Sequence, residues 1–156
     1  MSIEKAKTHL KKFGLESKIL EFEVSSATVA LAAAALGTEE KRIAKTLSFD
    51  VDGETVLVVV AGDARVNNST FKAFFGKKPK MLPFDEVEPR VGYAVGGVCP
   101  FGVNEGVRVY VDESVKRFET VFPAAGTSSS AVEMTPDELF SAAEALGWVS
   151  VTKVVE

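Results

Sequence analysis

A continuous apolar run in the middle of the chain predicts a strand at the centre of a sheet. Residues 55–61 contain Val56, Leu57, Val58, Val59 and Val60 in succession. Apolar residues at consecutive positions are typical of a strand that is covered on both faces. A second strand-like segment, residues 45–49, comes before it, and the pair Asp52-Gly53 lies between the two. Because this pair favours a tight hairpin turn, the pattern predicts a β-hairpin with a buried second strand.

Apolar residues at helical spacing, bounded by capping residues and glycines, predict helices along the chain. The last one has the most complete signals, because Thr135 suits the cap, Pro136 suits the first helical position, and Gly147 ends the run. The predicted helical segments are residues 3–13, a segment from Ser25 or Ser26 to Leu36, a segment from Asn67-Asn68-Ser69 to Gly76, residues 84–91, and residues 135–147.

Shorter apolar segments predict the remaining strands. They are Ile19–Val24, Val91–Val95, Val107–Val111, Phe118–Phe122, Ala131–Met134, and Trp148–Val155 as a strand or tail. Together with the helices they give a mixed pattern, with more strand than a plain alternating βαβ protein would show. Because no repeat or linker divides the chain, we expect residues 1–156 to form one α+β domain.

Composition and charge exclude several classes of function. The net charge of −4 is spread along the chain, which argues against long contact with a nucleic-acid backbone but leaves a small basic site open. One cysteine and one histidine cannot build a disulfide framework or an ordinary structural zinc site. The N-terminus lacks the apolar core of a signal peptide, and no apolar run reaches membrane-spanning length, so we expect a cytoplasmic protein.

The histidine and the cysteine are weak candidates for catalysis. His9 lies on a predicted helix beside Lys7, Lys11 and Lys12, and this pattern indicates a solvated face. Cys99 is either a small buried hydrophobic residue or, if nearby dipoles lower its pKa, a reactive thiol. No phosphate-binding or dinucleotide-binding motif is present.

Lys45 and a glycine-rich loop are the stronger candidates. Lys45 stands among apolar residues at the start of a predicted strand. It either extends its ammonium to water or faces a cleft, where it binds a phosphate or carboxylate. The loop Gly96–Gly102 contains three glycines and one proline. It is either a wide turn or a segment whose bare backbone N–H groups another molecule can approach.

Three segments together resemble one protein family. Arg42–Leu47, Gly92–Gly102 and Phe122–Thr127 occur in the order and spacing of the YbaK/EbsC family. This family comprises aminoacyl-tRNA deacylases related to the editing domain inserted in bacterial prolyl-tRNA synthetases. The likeness runs from about residue 20 to the C-terminus.

The resemblance implies a fold, an activity and partners. The fold is a curled, mixed β-sheet packed with helices. The activity is trans-acting hydrolysis of the ester between a wrong amino acid and the 3′ end of a tRNA, usually a proline tRNA. It implies no cofactor and no metal. The partner is the 3′ acceptor end of an aminoacyl-tRNA, with prolyl-tRNA synthetase as a further candidate and a homodimer left open.

The resemblance also implies site residues. Lys45 corresponds to the family lysine that contacts the 3′-terminal nucleotide, and Gly97 is the second residue expected to act in catalysis. Catalysis is attributed to a water positioned by backbone and substrate groups, with backbone N–H groups stabilising the oxyanion. The residues expected to contact the substrate are Thr28, Thr46, Gly96, Val98, Cys99, Pro100, Phe101, Gly102, Gly126 and Thr127.

Two departures from the family affect specificity. Ala131 stands where some members have an aspartate, and Thr28 stands where they have an aromatic residue. We therefore expect a small amino acid such as cysteine or alanine as the substrate, without assuming the cysteine specificity of other members. Two alternatives stay open: a non-catalytic module that binds an aminoacyl-tRNA or nucleotide end, and a thiol enzyme built on Cys99. Thr127 and Ser128–Ser130 either add hydroxyls to the pocket or form a turn.

Overall fold

The computed structural model describes residues 2–23 and 28–154. Its helices are α1 (Ser2–Lys11), α2 (Val29–Leu36), α3 (Asn68–Phe75), α4 (Phe84–Val91) and α5 (Pro136–Ala142). Its strands are β1 (Ile19–Glu21), β2 (Ile43–Val51), β3 (Glu54–Ala61), β4 (Ala64–Val66), β5 (Arg108–Asp112), β6 (Phe122–Pro123), β7 (Ser130–Val132), β8 (Trp148–Val149) and β9 (Thr152–Val154). Short 3₁₀ segments cover Glu16–Lys18, Glu40–Arg42 and Glu113–Arg117.

A five-stranded mixed sheet in the order β6-β2-β3-β5-β8 forms the centre of the fold. β2 and β3 are the predicted antiparallel hairpin, and its turn residues Asp52 and Gly53 have φ angles of 52° and 83°. The three other pairings, β2 with β6, β3 with β5 and β5 with β8, are parallel. Two-stranded sheets, β1 with β7 and β4 with β9, flank the main sheet. The α+β class with a mixed sheet is therefore confirmed.

The hydrophobic core lies on both faces of β3. Residues Val56–Val60 have no solvent exposure, as the continuous apolar run predicts. Leu57 and Val59 pack with residues of α1, α4 and α5 on one face. Val56, Val58 and Val60 pack with Phe49 and Phe71 on the other face. β3 is thus the fixed element against which the neighbouring strand β2 is positioned.

Several predicted boundaries are wrong. The segment Val91–Val95 is not a strand, because α4 continues to Val91 and Gly92 ends it with a φ angle of 105°. Phe118–Phe122 contributes strand structure only at Phe122, since the 3₁₀ segment ends at Arg117 and β6 begins five residues later. The predicted cap Ser25 or Ser26 and the ends of the segments at Val24 and Val155 lie outside the described residues.

The last helix is shorter than predicted, and a distant histidine accounts for its end. α5 stops at Ala142 rather than near Gly147. The ring of His9 donates a hydrogen bond from Nε2 to the carbonyl oxygen of Ala142 at 2.6 Å, so this oxygen has a partner outside the helix. Glu144 then takes a positive φ of 51°, which turns the chain away from the helix axis.

None of the described helices is long and apolar enough to cross a membrane.

Candidate active site at the edge of the sheet

A cavity of about 560 Å³ lies where the outer edge of β2 has no strand partner. At its start, β2 pairs with β6 through Ile43 and Ala44. Near its end, Asp50 and Ser48 exchange backbone hydrogen bonds with residues 80–82. Between these two pairings no described segment pairs with the edge formed by residues 45–47. An edge of this kind leaves backbone donors and acceptors available to a ligand.

The walls of the cavity are mostly apolar. Its aliphatic side chains come from helices α2 and α4, from the segment between α3 and α4, and from the glycine loop. These are Val29, Ala32, Leu36, Leu82, Val87 and Val98. The described residues that line the cavity include no Asp or Glu. The cavity therefore suits a small uncharged group better than a cationic one.

Lys45 supplies the positive charge of the cavity. Its side chain is half-buried and lines the cavity, and it forms no ion pair with any described residue. Burial lowers the pKa of Lys45 from its usual value, and the nearby Arg65 lowers it further, while Asp63 acts in the opposite direction. Asp63 is itself bound by Arg117, whose Nη1 lies 3.1 Å from Oδ2. A partly desolvated ammonium without its own carboxylate partner can bind an anionic group of a ligand.

The backbone of Thr46 points to the same edge. The carbonyl of Ser48 accepts a hydrogen bond from Leu82 at 3.1 Å, and the N–H of Asp50 donates to Lys80 at 2.8 Å. Backbone polar groups alternate in direction along a strand, so the N–H and C=O of Thr46, two residues before Ser48, also point away from β3. Thr46 lines the cavity, although its Oγ1 is buried and has no hydrogen-bond partner.

The first half of the glycine loop reaches the cavity. Gly96 and Val98 line it, whereas Gly97 between them is buried. A Cβ atom at Gly97 would stand 2.6 Å from the carbonyl oxygen of Gly126 and 2.8 Å from Cα of Thr127, so only glycine fits there. The N–H of Gly97 donates to the carbonyl of Ala94 at 3.0 Å. This donor already has a backbone partner in a turn, and the catalytic role expected for Gly97 stays a prediction.

The second half of the loop turns away from the cavity. Cys99, Pro100 and Phe101 are buried. Gly102 lies against α1, since a Cβ atom placed on it would stand 3.3–3.4 Å from atoms of that helix. None of these four residues lines the cavity, and their contact with the substrate stays a prediction. Cys99 and Phe101 belong to the main core cluster together with Tyr93, whose hydroxyl donates a hydrogen bond to the carbonyl of Phe101.

Cys99 lacks the properties of a nucleophile. The side chain has no solvent exposure and belongs to the main core cluster. Burial raises the pKa of the Cys99 thiol to about 12, so the thiol is protonated at neutral pH. The burial confirms the alternative of a small buried hydrophobic residue and argues against a thiol enzyme built on Cys99.

His9 is not on a solvated face, contrary to the prediction. Its side chain is buried and packs beside Phe13 and Phe101. Its ring donates the hydrogen bond to the carbonyl oxygen of Ala142 described above. It lines a separate cavity of about 370 Å³ together with Pro100 and Gly102. His9 therefore supports the junction of α1 and α5 and does not belong to the cavity at Lys45.

The second small-residue loop is placed behind the glycine loop. Gly126 and Thr127 do not line the cavity but contact Gly97 from behind. The hydroxyls of Thr127 and Ser130 lie 2.7 Å apart, and Ser130 lines the cavity. Thr28 also lines it and caps α2, since its Oγ1 accepts a hydrogen bond from the N–H of Leu31.

Some lining residues carry no signal in the sequence. Met81, Phe84 and Val95 reach the cavity because residues 80–82 pair with β2 and α4 follows directly, whereas Ser48 belongs to β2 itself. An exposed aromatic residue at a helix start is the one feature that could have drawn attention to Phe84. Among the described residues, no three His, Cys, Asp or Glu side chains are grouped to hold a metal ion.

Comparison with known proteins gives consistent matches. Residues 23–142 match the family model described as the aminoacyl-tRNA editing domain. The chain is 46% identical over 154 residues to the uncharacterized protein YwhH of Bacillus subtilis, covering 98% of each. It is 30% identical over 112 residues to EbsC of Enterococcus faecalis, named as a proposed Cys-tRNA(Pro)/Cys-tRNA(Cys) deacylase, covering 70% of this chain and 68% of EbsC.

A solved structure supports the same assignment. A protein described as a proposed trans-editing enzyme for prolyl-tRNA synthetase superimposes with a TM-score of 0.87 at 28% identity. The superposition covers 97% of both chains. The resemblance to the YbaK/EbsC family is therefore confirmed, with the family model covering residues 23–142.

Proposed function

This chain belongs to the aminoacyl-tRNA editing domain family, and on that premise we propose that it hydrolyses, in trans, the ester of a mischarged aminoacyl-tRNA. The observation that carries the proposal is the position of Lys45. Its half-buried ammonium lies at an apolar cavity, beside an unpaired strand edge, and has no carboxylate partner among the described residues. Such a site can hold an anionic nucleotide end and an uncharged acyl group side by side.

Lys45 has a binding and positioning role in this proposal. Its ammonium attracts the phosphate of the 3′-terminal nucleotide, and the cavity walls take the aminoacyl side chain. Binding at both ends fixes the ester between them. Alignment of a bound ester with an attacking water removes a large entropic part of the barrier.

The strand edge supplies a donor for the developing negative charge. Water attacks the ester carbonyl carbon, and the bond from that carbon to the ribose oxygen breaks. The water oxygen stays on the released amino acid as part of its carboxyl group, and one water proton ends on the ribose oxygen, which leaves as a hydroxyl. The N–H of Thr46 points to the cavity edge, whereas the N–H of Gly97 is bonded to Ala94. We therefore assign the oxyanion donor to Thr46, and one well-placed donor lowers the barrier by about 3–4 kcal/mol.

The cavity walls support a small uncharged amino acid as the substrate. Aliphatic side chains dominate the walls, and Ala131 lines the cavity where a carboxylate would favour other substrates. Cysteine and alanine fit this description. The proposed carrier is a proline tRNA in the cytoplasm, with prolyl-tRNA synthetase as the candidate partner.

A non-catalytic binding module is the second candidate. The engagement of the Gly97 N–H favours it, because one expected oxyanion donor is missing. Such a module would hold an aminoacyl-tRNA end without hydrolysing it. Tight binding of a non-hydrolysable aminoacyl-adenosine analogue without turnover of any ester would identify this function.

The test is deacylation of a panel of tRNAs, each charged with one small amino acid. At least one pair should be hydrolysed well above the spontaneous rate, and Lys45→Ala should slow that reaction by about 100-fold or more, because positioning is lost. Lys72→Ala on α3 is the matched control, since Lys72 is exposed and does not line the cavity. Absence of turnover for every pair would refute the esterase proposal.

A further inference from the structure

We propose that Phe84 and Met81 form a platform at the cavity mouth on which an unpaired base of the substrate's 3′ end stacks. Lys78 and Lys80 bind the phosphates of the same 3′ end. This inference rests on the proposed function, because it concerns how the same site holds a tRNA end. It adds a base-binding surface outside the aminoacyl cavity. The occupant is single-stranded nucleic acid.

The platform is an exposed apolar surface joined to the cavity. Phe84 is 80% exposed and Met81 is 53% exposed, and both line the cavity. Val95, which is 50% exposed, also lines it. A cluster of large exposed apolar side chains at the mouth of a cavity indicates a binding surface rather than scattered surface residues. Aromatic side chains of this kind bind nucleic-acid bases by stacking on their faces.

The platform is held in place by the sheet. Met81 forms a bridge with Phe49 of β2, and the backbone bonds from Asp50 to Lys80 and from Leu82 to Ser48 lie on either side of it. Leu82 is buried. Phe84 follows two residues later as the first residue of α4. The backbone that carries the platform is therefore held in place before a ligand arrives, which reduces the entropy cost of binding.

Charge favours nucleic acid as the occupant. The segment that leads to Met81 contains Lys77, Lys78 and Lys80, in a protein whose net charge is −4. Lys77 pairs with Asp52 at 3.4 Å, whereas Lys78 and Lys80 are exposed and form no ion pair with any described residue. Two available cations beside a stacking surface match the alternation of phosphate and base along a single strand.

The acidic residues near the platform favour one side of it for the phosphates. Glu86 and Asp50 both bind Arg90, at 3.2 and 3.0 Å, so their charges are largely compensated. Asp85 is exposed beside Phe84. It repels phosphate on the α4 side, so the base lies on Phe84 and the phosphates lie towards Lys78 and Lys80.

The test uses a single-stranded RNA oligonucleotide that ends in CCA, with 2-aminopurine in place of the last adenine. Stacking quenches the fluorescence of this base. We expect the protein to quench it, and Phe84→Ala to abolish quenching and raise the Kd by about 5- to 150-fold. Phe84→Trp should restore both. Lys80→Ala should weaken binding and reduce the slope of log affinity against log salt concentration by about 1.

Phe74→Ala is the matched control. Phe74 is also an exposed aromatic residue, at 52%, but it packs against Phe75 and Tyr110 and does not line the cavity. Its substitution should leave quenching and affinity unchanged. Wild-type binding by Phe84→Ala, or an equal loss in Phe74→Ala, would overturn the inference. Sedimentation that shows a dimer dissociated by Phe84→Ala, with RNA binding intact, would also overturn it and assign the surface to a second copy.

The two proposals fail in different ways. The oligonucleotide carries no amino acid, so its binding does not depend on ester hydrolysis. If no charged tRNA is hydrolysed but Phe84-dependent quenching is present, the platform stands and the esterase proposal is refuted. If a charged tRNA is hydrolysed and Phe84→Ala leaves its KM unchanged, the platform is refuted and the esterase proposal stands.

Discussion

Gly97 and Gly126 are in such close contact that a methyl group on Gly97 would stand 2.6 Å from the carbonyl oxygen of Gly126. This distance is shorter than a real carbon–oxygen contact allows, and the neighbour is backbone, which cannot rotate away. The close packing of the two small-residue loops therefore requires glycine at position 97. Gly96 and Val98, on either side of Gly97, line the cavity and depend on this contact for their positions.

Substitution of Gly97 by alanine should separate the two loops. We expect Gly97→Ala to lower the free energy of unfolding by about 1–3 kcal/mol, because overpacking forces the backbone to move. Deacylation should fall by at least about tenfold, since small displacements of positioning groups are costly. Urea unfolding and the deacylation assay measure the two effects.

Gly147→Ala is the control for this substitution. A Cβ atom there meets nothing within 4 Å, and Gly147 does not have a positive φ angle. It should leave both stability and activity close to wild type. Equal stability of Gly97→Ala and wild type would show that the loops are not fitted in this way.

The pH dependence of Lys45 gives a second prediction. Its pKa is lowered in the folded protein, first by burial and then by Arg65, so the folded state binds this proton less tightly than the unfolded state. Stability therefore rises with pH between the folded pKa and the ordinary value of 10.5. Activity needs the ammonium, so the enzymatic rate above the spontaneous rate should fall as the pH rises through the folded pKa of Lys45, which lies below the pH at which an ordinary lysine titrates.

Lys45→Met separates the two effects. The variant should be inactive at pH 7 yet at least as stable as wild type, because a half-buried charge is removed without loss of an ion pair. Its stability advantage should shrink as the pH rises through the window. Lys72→Met, at an exposed position, should show no such change. A destabilised Lys45→Met would indicate a structural role for the ammonium.

Thr46 gives a third prediction because its hydroxyl is buried without a partner. Replacement by valine removes this hydroxyl and keeps the shape of the side chain. We expect Thr46→Val to raise the free energy of unfolding by about 1 kcal/mol, since an unsatisfied buried polar group is costly. Activity should be retained, because the proposed oxyanion donor is the backbone N–H of Thr46.

Thr120→Val is the matched control for Thr46. Thr120 is similarly half-buried, but its hydroxyl donates to Glu133 at 2.8 Å and accepts from Arg42. This substitution should lower the free energy of unfolding. The changes measured by urea unfolding should therefore have opposite signs in Thr46→Val and Thr120→Val. A large loss of activity in Thr46→Val would assign a substrate contact to the hydroxyl itself.

The hairpin and the strand at its centre could be predicted from the sequence because their signals are local. Asp52-Gly53 fixes the turn, and the run at Val56–Val60 fixes burial on both faces. The strand predicted at Val91–Val95 was wrong because the same valines and Tyr93 also suit a helix end followed by a turn, and sequence spacing alone does not separate the two. The conformation of Gly92 decides between them.

The site could be predicted only as far as family motifs extend. Lys45 lines the cavity, and the contact with the 3′-terminal nucleotide that the resemblance implies stays a prediction. The burial of His9 could not be predicted, because its partner Ala142 is 133 residues away. Phe84 joins the cavity through the pairing of residues 80–82 with β2, and this contact is also long-range. Charge and spacing along the chain carry no information about such contacts.

Cys99 provides the last prediction, which concerns its reactivity. The thiol is fully buried and its pKa is raised to about 12, so it should not react with a thiol-specific disulfide reagent in the folded protein at pH 8. In denaturant the same thiol should react completely, which is the internal control. Cys99→Ala should keep full deacylation activity and lose about 1 kcal/mol of stability, because a small buried side chain is shortened. Rapid reaction in the folded state, together with loss of activity on modification, would contradict the burial of Cys99 and restore the thiol as a candidate nucleophile.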